Sequence, residues 1–182
     1  MTMDERVFAI IEFGKQLLGA PYLGWDGNFT DNKIEPFYVN EKKSIEYVKK
    51  HGVCCSGFIN LLIQHINLKV NHSGPYSGGT DEWYSYFKQK NCLQKFDEKS
   101  WYPIGTLFLR NYYNYKDQGH MSVLYNYTIA SIQKRNIMKA NIIHAYYDDK
   151  VSHVGITTLN YSHSIKNNCY YEYAILPEDW LS

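Results

Sequence analysis

The segment SGFINLLIQHI, residues 56–66, constrains this chain more than any other stretch. Written as a helix, Phe58, Ile59, Leu61, Leu62, Ile63 and Ile66 leave almost no polar face, so other elements must cover it on most sides. With 182 residues, 45% of them hydrophobic, the chain is long enough to supply that cover as one domain over 1–182.

The flanking patterns indicate what the cover is. Thr2 and Glu5 have capping-box spacing, and Val7, Ile10, Ile11, Leu17 and Leu18 follow at helical period, which predicts a helix over about 3–18 stopped by Gly19 and Pro21. From there to the two cysteines, Gly, Asn, Asp and Pro predict an ordered loop with a short helix near 44–50. After the loop NHSGPYSGG, Thr80 is placed to cap a short helix carrying Trp83, Tyr84 and Phe87. The period changes from about Gly105 onward. TLFLR, HMSVLYN, NIIHAYY, HVGITTL and CYYEYAIL read as strands, with ASIQKRNIMK as a turn or hairpin extension between the second and third. Helices over about 1–92 followed by strands over about 101–176 predict an α+β fold, N-terminal helices packed on an antiparallel sheet of about five strands.

Nineteen Lys and Arg against 18 acidic residues offer no field for nucleic acid or an anionic membrane. No apolar run is long enough to span a bilayer, and the N-terminus lacks the basic lead and cleavage site of a signal peptide. The expected location is the cytoplasm, or a released or virion-associated form reached by a non-classical route. Four cysteines, Cys54, Cys55, Cys92 and Cys169, are too few for a disulfide scaffold and lack zinc-ligand spacing, which fits a reducing compartment.

The chemistry concentrates at Cys55. A cysteine in the first turn of a buried helix meets unpaired backbone amides and the positive end of the helix dipole, which favour the thiolate. Ser56 and Gly57 keep that turn small enough for a carbonyl to approach, whereas Cys54 falls in the approach loop. A thiol nucleophile needs an imidazole to move its proton, and the imidazole needs a polar partner. His120 opens one predicted strand and His144 lies within the next, so neighbouring strands would bring both rings to one face, above the Cys55 helix. Two small buried cysteines and unrelated histidines are the plain alternative, and a metal site from Cys55, His120, His144 and His153 is the other chemistry these residue types permit. No carboxylate is evident to orient metal-ligating histidines, so neither metal nor cofactor is expected. His51, His65 and His72 read as structural or solvated, and Asp148-Asp149 as a turn.

In order along the chain, these motifs resemble the NlpC-type papain-like cysteine peptidases, known as cell-wall endopeptidases. LLGAPYLGWDG resembles the family's opening Gly-x-x-Tyr motif, GVCCSGFINLL its Asp-Cys-Ser-Gly helix, YPIGTLFLR its Pro-Gly-Asp-Leu strand, GHMSVLYN its base-histidine strand and IIHA the strand of the third polar residue. The resemblance implies a papain-like fold with Cys55 as nucleophile, His120 as base, His144 as its orienting partner and Tyr22 beside the oxyanion. Cys54 stands where the family has an acid, Thr106 where it has the Asp of the strand motif, and Ser122 where it has a small glycine. SHVGITTL also matches the base strand, which leaves a second register with His153 as base and His163 as partner; only His120 and His144 keep the family order.

The implied activity is hydrolysis of a peptide or isopeptide bond, with a peptide or peptidoglycan stem-peptide fragment as substrate and Tyr22, Trp25, Tyr76 and Trp83 available to line a cleft. Two rivals belong to other classes: an acyltransferase or thioesterase using the same thiol, and an inactive binding module of the same fold. Adjacent cysteines bridge only through a strained ring, so a Cys54–Cys55 disulfide would be a redox device rather than a staple.

Overall fold

A computed structural model of the chain describes residues 1–23, 38, 42–70, 79–111, 113, 119–147, 152–161 and 171–182, and the backbone alone for 162–164. Helix α1, Met3–Gln16, starts at the expected box: the Thr2 hydroxyl accepts from the Glu5 N–H at 3.3 Å and the Glu5 carboxylate accepts from the Thr2 N–H at 2.7 Å. Helix α2, Ile45–His51, begins at Ser44, whose hydroxyl accepts from the Tyr47 N–H. Helix α3, Cys55–His65, is buried at every residue from Cys55 to Ile63, as an apolar helix without a polar face requires. Each large aliphatic or aromatic side chain so buried contributes about 1.5–3 kcal/mol.

Helix α4, Thr80–Gln89, corrects two expectations. Its N-cap is Gly79 with no side-chain cap, and Thr80 is a buried first-turn residue. Trp83 lines no cleft: it is 2% exposed, stacked on Phe87, and its indole N–H donates to the Asn60 side chain at 2.8 Å. A buried indole needs one acceptor, and Asn60 on α3 provides it. Trp25 and Tyr76 lie outside the described residues.

Among the described residues the sheet has six antiparallel strands where about five are expected. They are β1 (Gln94–Lys95), β2 (Leu107–Arg110), β3 (His120–Asn126), β4 (Asn141–Tyr147), β5 (Ser152–Thr158) and β6 (Tyr173–Ile175), in the order β1-β6-β2-β3-β4-β5, and the sheet is not closed. The additional strand is the two-residue β1, which pairs with β6. The stretch expected as a turn or hairpin extension instead folds as helix α5, Ile129–Lys134, and a 3-10 turn, Ile137–Lys139. Thr128 starts α5 by accepting from the Ser131 N–H, and its own hydroxyl donates to the Lys139 carbonyl, so one side chain joins both turns. Helices α6, Leu159–Ser164, and α7, Pro177–Trp180, complete the chain. Beside α7, the Trp180 indole donates to the Gly105 carbonyl and Arg6 to that of Leu181.

Strand alternation divides the interior. Leu107, Leu109, Met121, Val123, Ile143, Ala145 and Val154 pack with the buried faces of α1, α3 and α4. Phe108, Leu124, Ile142 and Ala174 point to the opposite layer, with Tyr102, Ile137, Leu159 and Tyr171.

Candidate active site

The sheet continues past β5 through backbone pairing. Val154 donates to the Ala20 carbonyl and accepts from Gly19, Pro21 bridges His153, and Tyr22 donates to the Ser152 carbonyl. Val53 then bridges Tyr22 in parallel, donating to the Pro21 carbonyl and accepting from Leu23. Tyr22 is thereby fixed one backbone pairing from Val53, two residues before Cys55, and its ring lies 6.3 Å from that of Tyr147.

Cys54 is the N-cap of α3 and not merely part of the approach. Its sulfur accepts from the Gly57 N–H at 3.2 Å and lies 3.5 Å from the Ser56 hydroxyl. Burial pushes the Cys54 thiol up, so the cap is a neutral sulfur. Cys55 follows as the first helical residue, 7% exposed. Both carry thiols, not a disulfide.

His120 opens β3 directly after Gly119, whose φ of +76° and close approach to the Arg110 carbonyl exclude a side chain. His120 is 4% exposed and His144, in the middle of β4, is fully buried. Their rings share a hydrogen bond of 2.7 Å between His120 Nε2 and His144 Nδ1, and His144 Nε2 lies 2.8 Å from the Thr157 hydroxyl on β5. Tyr146 stacks on His144 at 4.6 Å, and Gly155, paired opposite His144, leaves room for the Tyr146 and His153 rings. Burial pushes His120 down to about 4 and His144 well below the ordinary imidazole range, and the nearby His120 and His153 rings further disfavour a proton on His144. Both rings are held neutral.

The two imidazoles therefore share a face, but not the face expected for them. Ile143 and Ala145 alternate with His144 into the layer under α1 and α3, which puts the paired rings on the far side, beside Tyr146 and Tyr171. Among the described residues neither histidine hydrogen-bonds Cys55. Toward one end of the sheet Tyr146, His153 and Pro21 follow one another from strand to strand and Tyr22 bridges Val53, and His120 opens the antiparallel β3 at that end, beyond the Val123–Ile143 pair. His153 takes no part in the histidine hydrogen bond, and the side chain of His163 lies outside the described residues, as do His72, Asp148, Asp149 and Cys169.

The three substituted positions have structural accounts of different quality. Cys54 caps α3, and Thr106 donates to the Pro103 carbonyl at 2.7 Å. Among the described residues the buried Ser122 hydroxyl has no hydrogen-bond partner, and nothing in the structure explains it. His65 stacks on Phe13 and His51 on Tyr47, both packing roles. Among the described residues no three His, Cys, Asp or Glu side chains are grouped as metal ligands. Thr157 is the site residue that sequence reasoning misses: nothing in GITTL marks one threonine over the other until the strand register is known.

No protein-family profile matches the sequence, and no curated protein matches it. A solved structure does match in fold: a protein from Staphylococcus aureus subsp. aureus Mu50 described as similar to lipoprotein, NLP/P60 family. The TM-score is 0.52 at 14% identity, over 95% of this chain and 41% of that one. The likeness extends to the fold, helices on an antiparallel sheet, and this chain spans well under half the length of that protein. No helix among the described residues is long and apolar enough to cross a membrane.

Proposed function

We propose that the protein is a cysteine hydrolase that cleaves a peptide or isopeptide bond, with a peptidoglycan stem peptide or related fragment as substrate class. The observation that carries this reading is the buried His120–His144 pair, with His120 Nδ1 outside its hydrogen bond and His120 at the sheet end that leads to Cys55. The motif resemblance and the fold shared with an NLP/P60 protein support it.

In this reading Cys55 Sγ attacks the amide carbon as its proton passes to His120 Nδ1, forming the C–S bond and a tetrahedral oxyanion. The Cys55 backbone N–H and the Tyr22 hydroxyl stabilise that oxyanion. His120 then gives its proton to the amine as the C–N bond breaks. Water attacks the acyl-enzyme, His120 takes the water proton and returns it to sulfur, and the acid leaves. Because burial holds the His120 imidazole neutral, it is ready to take a proton, and proton transfer accompanies substrate binding.

The test is incubation with muropeptides and with an acyl-lipid panel, read by mass spectrometry. Amide cleavage by the wild type and Cys54→Ala, lost in Cys55→Ala and His120→Ala, is the expected result. Acyl transfer to an amine or lipid would assign the thiol to the transferase class, and no turnover on any substrate would leave a binding module.

A further inference from the structure

The series His120, His144, Thr157 has a direction, and the pairing of His120 with Cys55, on which this inference rests, works in one direction only. Both rings are held neutral by burial, so each carries a single proton. In one arrangement His120 Nε2–H donates to His144 Nδ1, and His144 Nε2–H donates to Thr157 Oγ1. His120 Nδ1 then presents a lone pair, which is what a base requires. In the other, the Thr157 hydroxyl donates to His144 Nε2, and His144 Nδ1–H donates to His120 Nε2. His120 Nδ1 then carries the proton and can accept none.

The proposed reaction chooses between them. His120 Nδ1 has no hydrogen-bond partner among the described residues, and the ring is 4% exposed. A base for Cys55 needs its lone pair on Nδ1, so the proposed reaction places the His120 proton on Nε2. That choice passes along the series and requires an acceptor for His144 Nε2–H. Thr157 Oγ1, at 2.8 Å on a half-buried residue, is that acceptor, and a hydroxyl can accept while donating its own proton elsewhere. We infer that Thr157 is a positioning residue for the proposed reaction: by accepting from His144 Nε2–H it sets the direction of the series and keeps His120 Nδ1 basic.

The experiment compares full-length wild type, Thr157→Val and Thr157→Ser, each labelled with 15N-histidine, by tautomer-sensitive NMR at neutral pH. Valine keeps the β-branched shape that suits a strand but cannot accept a hydrogen bond; serine can. The expected result is His120 protonated at Nε2 in wild type and Thr157→Ser, and shifted toward Nδ1 protonation in Thr157→Val. A wild-type His120 protonated at Nδ1, or a Thr157→Val tautomer identical to wild type in a protein with a native amide spectrum, overturns the inference. Iodoacetamide labelling of Cys55 separates this from the proposed function. A fall on the order of 10²-fold in Thr157→Val, recovered in Thr157→Ser, supports both. A shifted tautomer with unchanged labelling supports the inference about Thr157 and overturns the pairing of His120 with Cys55.

Discussion

Cys55 stands at the head of nine consecutive buried residues of a single helix, whereas His120 is held by side chains from two other strands, His144 on β4 and Thr157 on β5. The thiol is placed by one contiguous segment and the core around it. The imidazole is placed by the register of β4 on its neighbours, through two hydrogen bonds of 2.7 and 2.8 Å. The helix end should therefore tolerate loss of a single polar contact but not loss of packing, and the histidine pair should behave in the opposite way.

The largest effect belongs to packing. Phe58→Ala empties a fully buried ring site where α3 meets Gly14 of α1 and Ile143, and should lower unfolding free energy by about 3–5 kcal/mol in urea titration. A loss below about 1 kcal/mol would mean that α3 is not the support assigned to it.

Acid comes next. His120 and His144 have lower pKa values in the folded protein than the ordinary 6.5, so the unfolded chain binds more protons below that value. Their contribution is present above pH 6.5 and lost as pH falls toward about 4, where His120 takes its proton. For His120 alone this corresponds to about 3 kcal/mol, read as falling Tm between those pH values. His144→Leu should flatten part of that slope and, by leaving His120 Nε2 without its partner, cost about 1–3 kcal/mol near neutral pH. A slope unchanged by His144→Leu would break the contrast, because the histidines would then be titrating as solvated groups.

The smallest effect is at the cap. Cys54→Ala removes the sulfur that accepts from the Gly57 N–H and should cost about 1 kcal/mol, while Cys54→Ser, which restores an acceptor, should recover most of it. Equal losses in both variants would show that the thiol acts there through its volume.

The same contrast separates what could be read along the chain from what could not. Strands β3 and β4 coincide with HMSVLYN and NIIHAYY because a sheet buried on both sides selects apolar, β-branched and aromatic residues along its whole length. The turn expected over 130–139 became α5 and a 3-10 turn because Thr128 bonds to both, while Ile129 and Ile132 stay exposed and leave no helical period to detect. Strand β1 has two residues, too few for any pattern. Trp83 looked like cleft material until Asn60 supplied its acceptor inside the core.

Helix α1 with its capping box, the all-round apolar α3 and the two central strands are written into the sequence, since caps and periodicities act between residues a few positions apart. The expectation that neighbouring strands bring His120 and His144 to one face also came from the sequence, whereas their hydrogen bond, the closing hydroxyl of Thr157 and the face on which the rings lie belong to the tertiary structure. A strand's pattern sorts its residues into two faces, and only packing against α1 and α3 determined that Ile143 would face the helices and His144 would face away.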